Sequence, residues 1–122
     1  MEDARDEDVT EQVFKEIEDN VGPIDLVVFN VGGNVYFPIL ETTARVFRKV
    51  WEMACFSGFL TGREASKYMI PRGKGKIFFT GASASMRGKP GYSAFSAGKG
   101  LSRKGLQCPG RRLPPCSTSG NC

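Results

Sequence analysis

The chain predicts an α/β fold with a parallel sheet flanked by helices. Three observations carry that reading. Segments with helical and strand-like apolar patterns alternate in the order helix, strand, helix, strand, helix, which implies βαβ crossovers. Residues 24–29 and 76–80 are short, nearly continuous apolar runs rich in β-branched and aromatic residues, as suits strands covered on both faces. Each run leads into a polar, glycine-bearing loop, and open α/β sheets bind ligands beyond the carboxyl ends of their strands.

Taken in order, residues 7–21 place Val9, Val13, Phe14, Ile17 and Val21 on one helical stripe that Gly22-Pro23 ends. The first strand, Ile24-Asp25-Leu26-Val27-Val28-Phe29, is apolar on both faces and is expected to sit centrally. It runs into the loop Asn30-Val31-Gly32-Gly33-Asn34. A long helix is expected over 42–70, with Thr42 or Thr43 as N-cap and Val46, Val50, Trp51, Ala54, Gly58, Leu60, Ala65 and Met69 on its packed face. Pro71 and the glycines after it are expected to break it. The second strand, Lys76-Ile77-Phe78-Phe79-Thr80, precedes a Ser/Gly/Ala-rich loop over 81–90. A last helix is expected over 92–103, weakened by Gly98 and Gly100. Residues 105–122 have no apolar period and are rich in glycine, proline and cysteine, which predicts an irregular tail.

Composition narrows the chemistry. The 122 residues contain no histidine, so this chain offers neither Ser-His-Asp nor Cys-His catalysis and no His-ligated metal. Cys55, Cys108, Cys116 and Cys122 form no CxxC pair; free thiols are expected and a zinc site is not. No apolar run approaches the roughly 20 residues that span a bilayer. The acidic start is unlike a secretory signal or a presequence, which begin basic, so a cytoplasmic location is expected. Residues 1–20 hold nine acids and two bases, and residues 21–122 hold four acids and fifteen bases. That asymmetry raises a polyanion-binding surface as one reading. The bases are dispersed and accompany no nucleic-acid motif, so a nucleic-acid partner is not favoured.

Four segments, in order, resemble the short-chain dehydrogenase/reductase family. Asp3-Ala4-Arg5-Asp6 is similar to the end of its third strand, Phe29-Asn30-Val31-Gly32 to its Asn-Asn-Ala-Gly motif, and residues 51–58 to its W-x-x-x-N-x-x-G helix. Residues 79–99 resemble its active-site strand, loop and Tyr-x-x-x-Lys helix. The likeness covers residues 3–106. It implies an incomplete Rossmann-like parallel sheet, NAD or NADP as cofactor, and hydride transfer to or from a small alcohol or carbonyl substrate. Residues 1–104 then form a partial domain, without the glycine-rich unit expected before Asp3, and 105–122 a basic Cys/Pro tail.

The resemblance also assigns roles. Asp3 would contact the adenine ring, and Asn30, Val31 and Gly32 would line the cofactor cleft. Lys99 would hold the nicotinamide ribose and lower the proton affinity of the residue four places earlier. That residue is Phe95, not tyrosine, and a phenyl ring has no proton to exchange. The usual serine position, thirteen before Phe95, is Ala82, with Ser83 next to it; the asparagine position is Cys55. Tyr92, seven residues before Lys99, lies about 10 Å away along a helix, too far for strong coupling. The catalytic set Lys99, Ser83, Phe95 and Cys55 is therefore altered, and impaired turnover is expected. Two alternatives stay open. One is an interaction module that pairs residues 42–70 and 92–103 with another copy or a full-length homologue. The other is the polyanion binder. An unpaired apolar sheet edge predicts an unstable or self-associating monomer.

Overall fold

The computed structural model describes residues 3–33, 35–87 and 90–105. Residues 106–122, with most of the expected irregular tail and Cys108, Cys116 and Cys122, lie outside them. Four helices and two strands follow in the expected order: α1 (Glu7–Asn20), β1 (Leu26–Phe29), α2 (Ala44–Trp51), α3 (Ser57–Arg72), β2 (Lys76–Phe79) and α4 (Ser93–Gly105). β1 and β2 pair in parallel, with Leu26 opposite Lys76 and Phe29 opposite Phe79. The α/β class is as the sequence implies.

Asp6 opens α1 by accepting the Val9 N–H at 3.1 Å, the cap that frees the first turn from unmet donors. Asp3 to Asp6 form a turn, closed by the Asp6 N–H donating to the Asp3 carbonyl at 2.9 Å, and the helix cap. Phe14 of α1 is buried against Ala65 and Met69 of α3, with Ile24, Val27, Tyr68 and Ile77 around them. Burying a side chain such as Phe14 or Met69 contributes about 1.5–3 kcal/mol. Gly75, at φ +146°, leaves room for Met69; a Cβ there would run into that side chain. Glu18 ties the same corner together. Its carboxylate accepts from Arg72 at 2.6 and 2.9 Å and from the Ile24 N–H at 2.9 Å, and these bonds, with Arg72 first, lower its proton affinity.

Two expectations for the long helix need correction. Pro71 does not break it: α3 runs through Pro71 to Arg72 and ends at Gly73, which takes the left-handed C-cap conformation at φ +64°. Proline costs a helix its bond to the carbonyl four residues back, but here only the last turn bears that loss. Nor is the helix regular. Residues Glu52–Phe56 form a π-helical segment, closed by the Ser57 N–H donating to the Glu52 carbonyl. One wide turn of this kind rotates the faces on either side of it. Thr43, not Thr42, is the N-cap of α2, accepting from the Val46 N–H at 3.2 Å.

The sheet also differs from a strand covered on both faces. Phe29 is buried, but Leu26 is 53% and Val28 60% exposed. α4 meets α2 and the π segment, where Val50 and Ala54 face Gly98. A Cβ on Gly98 would lie 3.1 Å from that of Ala54, so the two backbones approach more closely than larger residues permit.

Candidate functional site

The site grows from the two strand ends. The Thr80 N–H donates to the Phe29 carbonyl at 2.9 Å, so the loops after β1 and β2 leave the sheet side by side. Farther out they meet again, where the Phe37 N–H donates to the Gly91 carbonyl at 2.9 Å and Tyr36 packs edge-on against Tyr92. Gly91, at φ +81°, is required there, because a Cβ would strike the Tyr36 ring.

Lys99 fastens the inner end of this junction. It lies four residues after Phe95 on α4, on the same helix face. Its Nζ donates to the Val31 carbonyl at 2.8 Å and to the Thr80 carbonyl at 3.0 Å, and sits 5.9 Å from the centre of the Phe29 ring. Only 6% of the residue is exposed. Gly32 is beside it: a Cβ there would stand 3.5 Å from Lys99 Cε, 3.7 Å from Nζ and 4.0 Å from the Phe95 ring. Burial lowers the proton affinity of Lys99 below the ordinary lysine value of 10.5.

Val31, Gly32, Phe95 and Lys99 thus come together, as two strand-end loops in a parallel sheet require. The other expected site residues are placed as follows. Asn30 is exposed directly after β1. Ser83 is exposed at the start of a short 3₁₀ turn, Ser83–Ser85, with Ala82 leading into it. Cys55 lies half-buried in the π segment, where burial raises its thiol pKa. Asp3 is exposed and engaged by Arg5, whose Nε and Nη2 donate at 2.9 and 2.6 Å; this pairing holds the Asp3 carboxyl down at about 2. Arg5, Trp51, Glu52 and Phe56 line a neighbouring cleft of about 390 Å³. Tyr92 stands just before α4, paired with Phe37.

One residue that positions the site is absent from the expected set. Gly98 sets how closely α4 approaches Ala54, and therefore where Lys99 lies. Its sequence signal is a small residue adjacent to a functional one, a pattern too common to stand out. Among the described residues no group of three or more His, Cys, Asp or Glu side chains could hold a metal, and no helix is long and apolar enough to cross a membrane.

This convergence on a helix-borne lysine lies beyond the carboxyl ends of two parallel strands, the place where open α/β sheets bind ligands. The sequence profile described as short chain dehydrogenase matches residues 2–105, and the chain belongs to that family. A solved short-chain dehydrogenase from Rhodopseudomonas palustris is 53% identical and superposes with a TM-score of 0.80, over 84% of this chain and 48% of that one. Sorbitol-6-phosphate 2-dehydrogenase from Erwinia amylovora is 29% identical with a TM-score of 0.80, over 86% of this chain and 41% of its own. Gluconate 5-dehydrogenase from Gluconobacter oxydans (strain 621H) is 30% identical over 98 residues, 80% of this chain and 38% of that protein. The chain spans about two-fifths of the length of the curated relatives it matches.

Proposed function

We propose that the chain carries the nicotinamide-side half of an NAD(P)-linked oxidoreductase site acting on an alcohol or carbonyl group. The observation behind this reading is the buried Lys99 ammonium, bonded to the carbonyls of Val31 and Thr80 beside Gly32. The residues present suit a sugar-bearing cofactor. Gly32 brings backbone rather than a side chain of its own beside Lys99, and Lys99 has one donor beyond the two that the carbonyls take. Val31 and Gly32 would approach the cofactor through backbone, and Asn30 would line the entrance. Asp3 would face the adenine end once Arg5 yields. When bound, the nicotinamide supplies or accepts the hydride.

The altered residues set what this half-site does. Phe95 cannot exchange a proton, Cys55 is a poor stand-in for an amide, and Ser83 retains a hydroxyl next to the expected place. Substrate binding without fast turnover is the expected behaviour. The names of the relatives make a hydroxyl-rich small acid or sugar phosphate the first substrates to try. Titration with NADH and NADPH, read by cofactor fluorescence, tests the proposal; a chain that binds neither refutes it.

A second reading has its own support. Trp51 and Phe56 stack at 5.9 Å, Phe56 and Phe59 at 6.3 Å, and Arg63 lies 5.6 Å over the Phe59 ring. This aromatic row from the end of α2 through the π segment to α3 fits association with another copy or with a full-length homologue. Light scattering after size exclusion tests it, and a monomer at 13.3 kDa refutes it.

A further inference from the structure

An alcohol–carbonyl interconversion needs a proton delivered to, or taken from, the substrate oxygen, and Phe95 handles none. We propose that Lys99 is itself the group that gives and takes that proton. The inference rests on the oxidoreductase reading above and gives Lys99 a different role within it.

The geometry supports direct transfer in three ways. A lysine ammonium has three N–H donors; the carbonyls of Val31 and Thr80 occupy two, which leaves one. Gly32 is exposed and places no side chain between Nζ and the space outside the loop. Third, among the described residues the groups around Nζ carry no charge. They are the Phe29 ring and Val31 carbonyl from the end of β1, Gly32 from the following loop, the Thr80 carbonyl from the end of β2, and Phe95 from α4. A carboxylate there would hold the proton on the amine. The two carbonyls favour the charged form, but burial opposes it and prevails. Lys99 therefore releases its proton more readily than a solvated lysine does, which a general acid working near neutral pH requires.

The step balances. In the reducing direction the carbonyl carbon accepts the hydride from a reduced nicotinamide, and the C=O π pair moves to oxygen. The Lys99 N–H bond breaks as the new O–H bond forms. The neutral amine regains a proton from water. The carbonyl compound is reduced, the nicotinamide is oxidised, and the reverse path returns the proton to Nζ.

The test begins with NMR titration of the chain labelled with ¹³C at lysine Cε, at which the ammonium is read directly. One signal, assigned by its loss in Lys99→Met, is expected to titrate below the ordinary lysine value of 10.5. If Lys99→Met does not fold, the contact of the Lys99 signal with the Phe29 ring assigns it in the native chain. NADPH-dependent reduction of 4-nitrobenzaldehyde is then followed against pH. Its limb is expected to track the Lys99 titration. Lys99→Arg is expected to lose about a hundredfold in turnover at saturating NADPH, beyond any loss in cofactor affinity, and Phe95→Tyr to move the limb to the new phenol. Titration of Lys99 with the bulk lysines, native-like turnover in Lys99→Arg, or NADPH binding without any aldehyde reduction overturns the assignment and leaves the family reading in place. A chain that binds neither NADH nor NADPH overturns the reading beneath it.

Discussion

Glu64 and Lys99 are two buried charges in one small fold, and they are held in opposite ways. Glu64, 1% exposed on α3, accepts from Arg63 at 3.1 Å and Lys67 at 2.9 Å. Its cost of leaving water is met by opposite charge, and Arg63 reaches on to Glu7 at 2.7 Å, tying α3 to α1. Lys99, 6% exposed on α4, is bonded to two neutral carbonyls. The first arrangement is what a scaffold does with a charge. The second keeps a charge under desolvation stress beside a loop junction, the arrangement that marks a group as a candidate for function.

If that division is right, the largest losses of stability come from the scaffold side. Leu60, 1% exposed, is truncated in Leu60→Ala. The expected loss is about 2–5 kcal/mol, the transfer cost of the missing atoms plus that of the cavity, read from the urea midpoint. A loss under about 1 kcal/mol would mean that α3 is not the centre of the fold.

Next comes the seam between the two regions. Gly98→Val forces a branched side chain toward Ala54 and the Val50 carbonyl. The expected cost is about 1–3 kcal/mol from overpacking. α4 moves outward and Lys99 leaves its carbonyls, so NADPH affinity falls along with stability. A stable variant with native cofactor affinity would separate Lys99 placement from helix packing.

The site itself is expected to give a smaller change with a distinctive pH dependence. Lys99→Met removes two charge-assisted bonds and also one desolvated charge, and these effects oppose each other. The net change at pH 7 is expected within about 1.5 kcal/mol. The sign with pH follows from the lowered proton affinity of Lys99. Below its folded value the buried charge weighs on the native state in full. As pH rises from there through the ordinary lysine value of 10.5, the unfolded chain holds the proton that the folded chain has released. Native stability then gains on the variant. A difference between the two that stays flat across this window breaks the comparison with Glu64.

What the sequence revealed follows the same division. The order of elements was legible because strands near continuous apolarity and helices at 3.6 spacing differ in period. The lysine and its Phe95 neighbour were legible through the resemblance of residues 79–99 to the family's Tyr-x-x-x-Lys helix, whose i and i+4 positions share a face. The π segment was not, since residues 51–58 carry no Gly or Pro before Gly58 and a widened turn depends on how α4 packs against it. Pro71 misled because proline is tolerated one residue before a helix end that Gly73 caps. The exposure of Leu26 and Val28 was hidden by their composition, which reads as buried on both faces although only one face is covered here. Burial of Lys99 was also unreadable, because carbonyl partners leave no trace in residue type.

The smallest expected change in stability belongs to Gly32→Ala, and it sharpens the comparison most. The added methyl would meet Lys99 Cε at 3.5 Å, an ordinary van der Waals contact. Gly32 is exposed, so no core is disturbed, and the urea midpoint is expected to move by less than about 0.5 kcal/mol. Yet the methyl would stand 3.7 Å from Lys99 Nζ, on the Gly32 side of the lysine. NADPH binding, followed by cofactor fluorescence, is expected to weaken by about tenfold, since displaced contact at a close backbone approach is costly. A scaffold glycine would show the reverse, with lost stability and unchanged binding. If Gly32→Ala binds NADPH as the native chain does, the space beside Lys99 is not where the cofactor lies, and the lysine joins Glu64 as part of the scaffold.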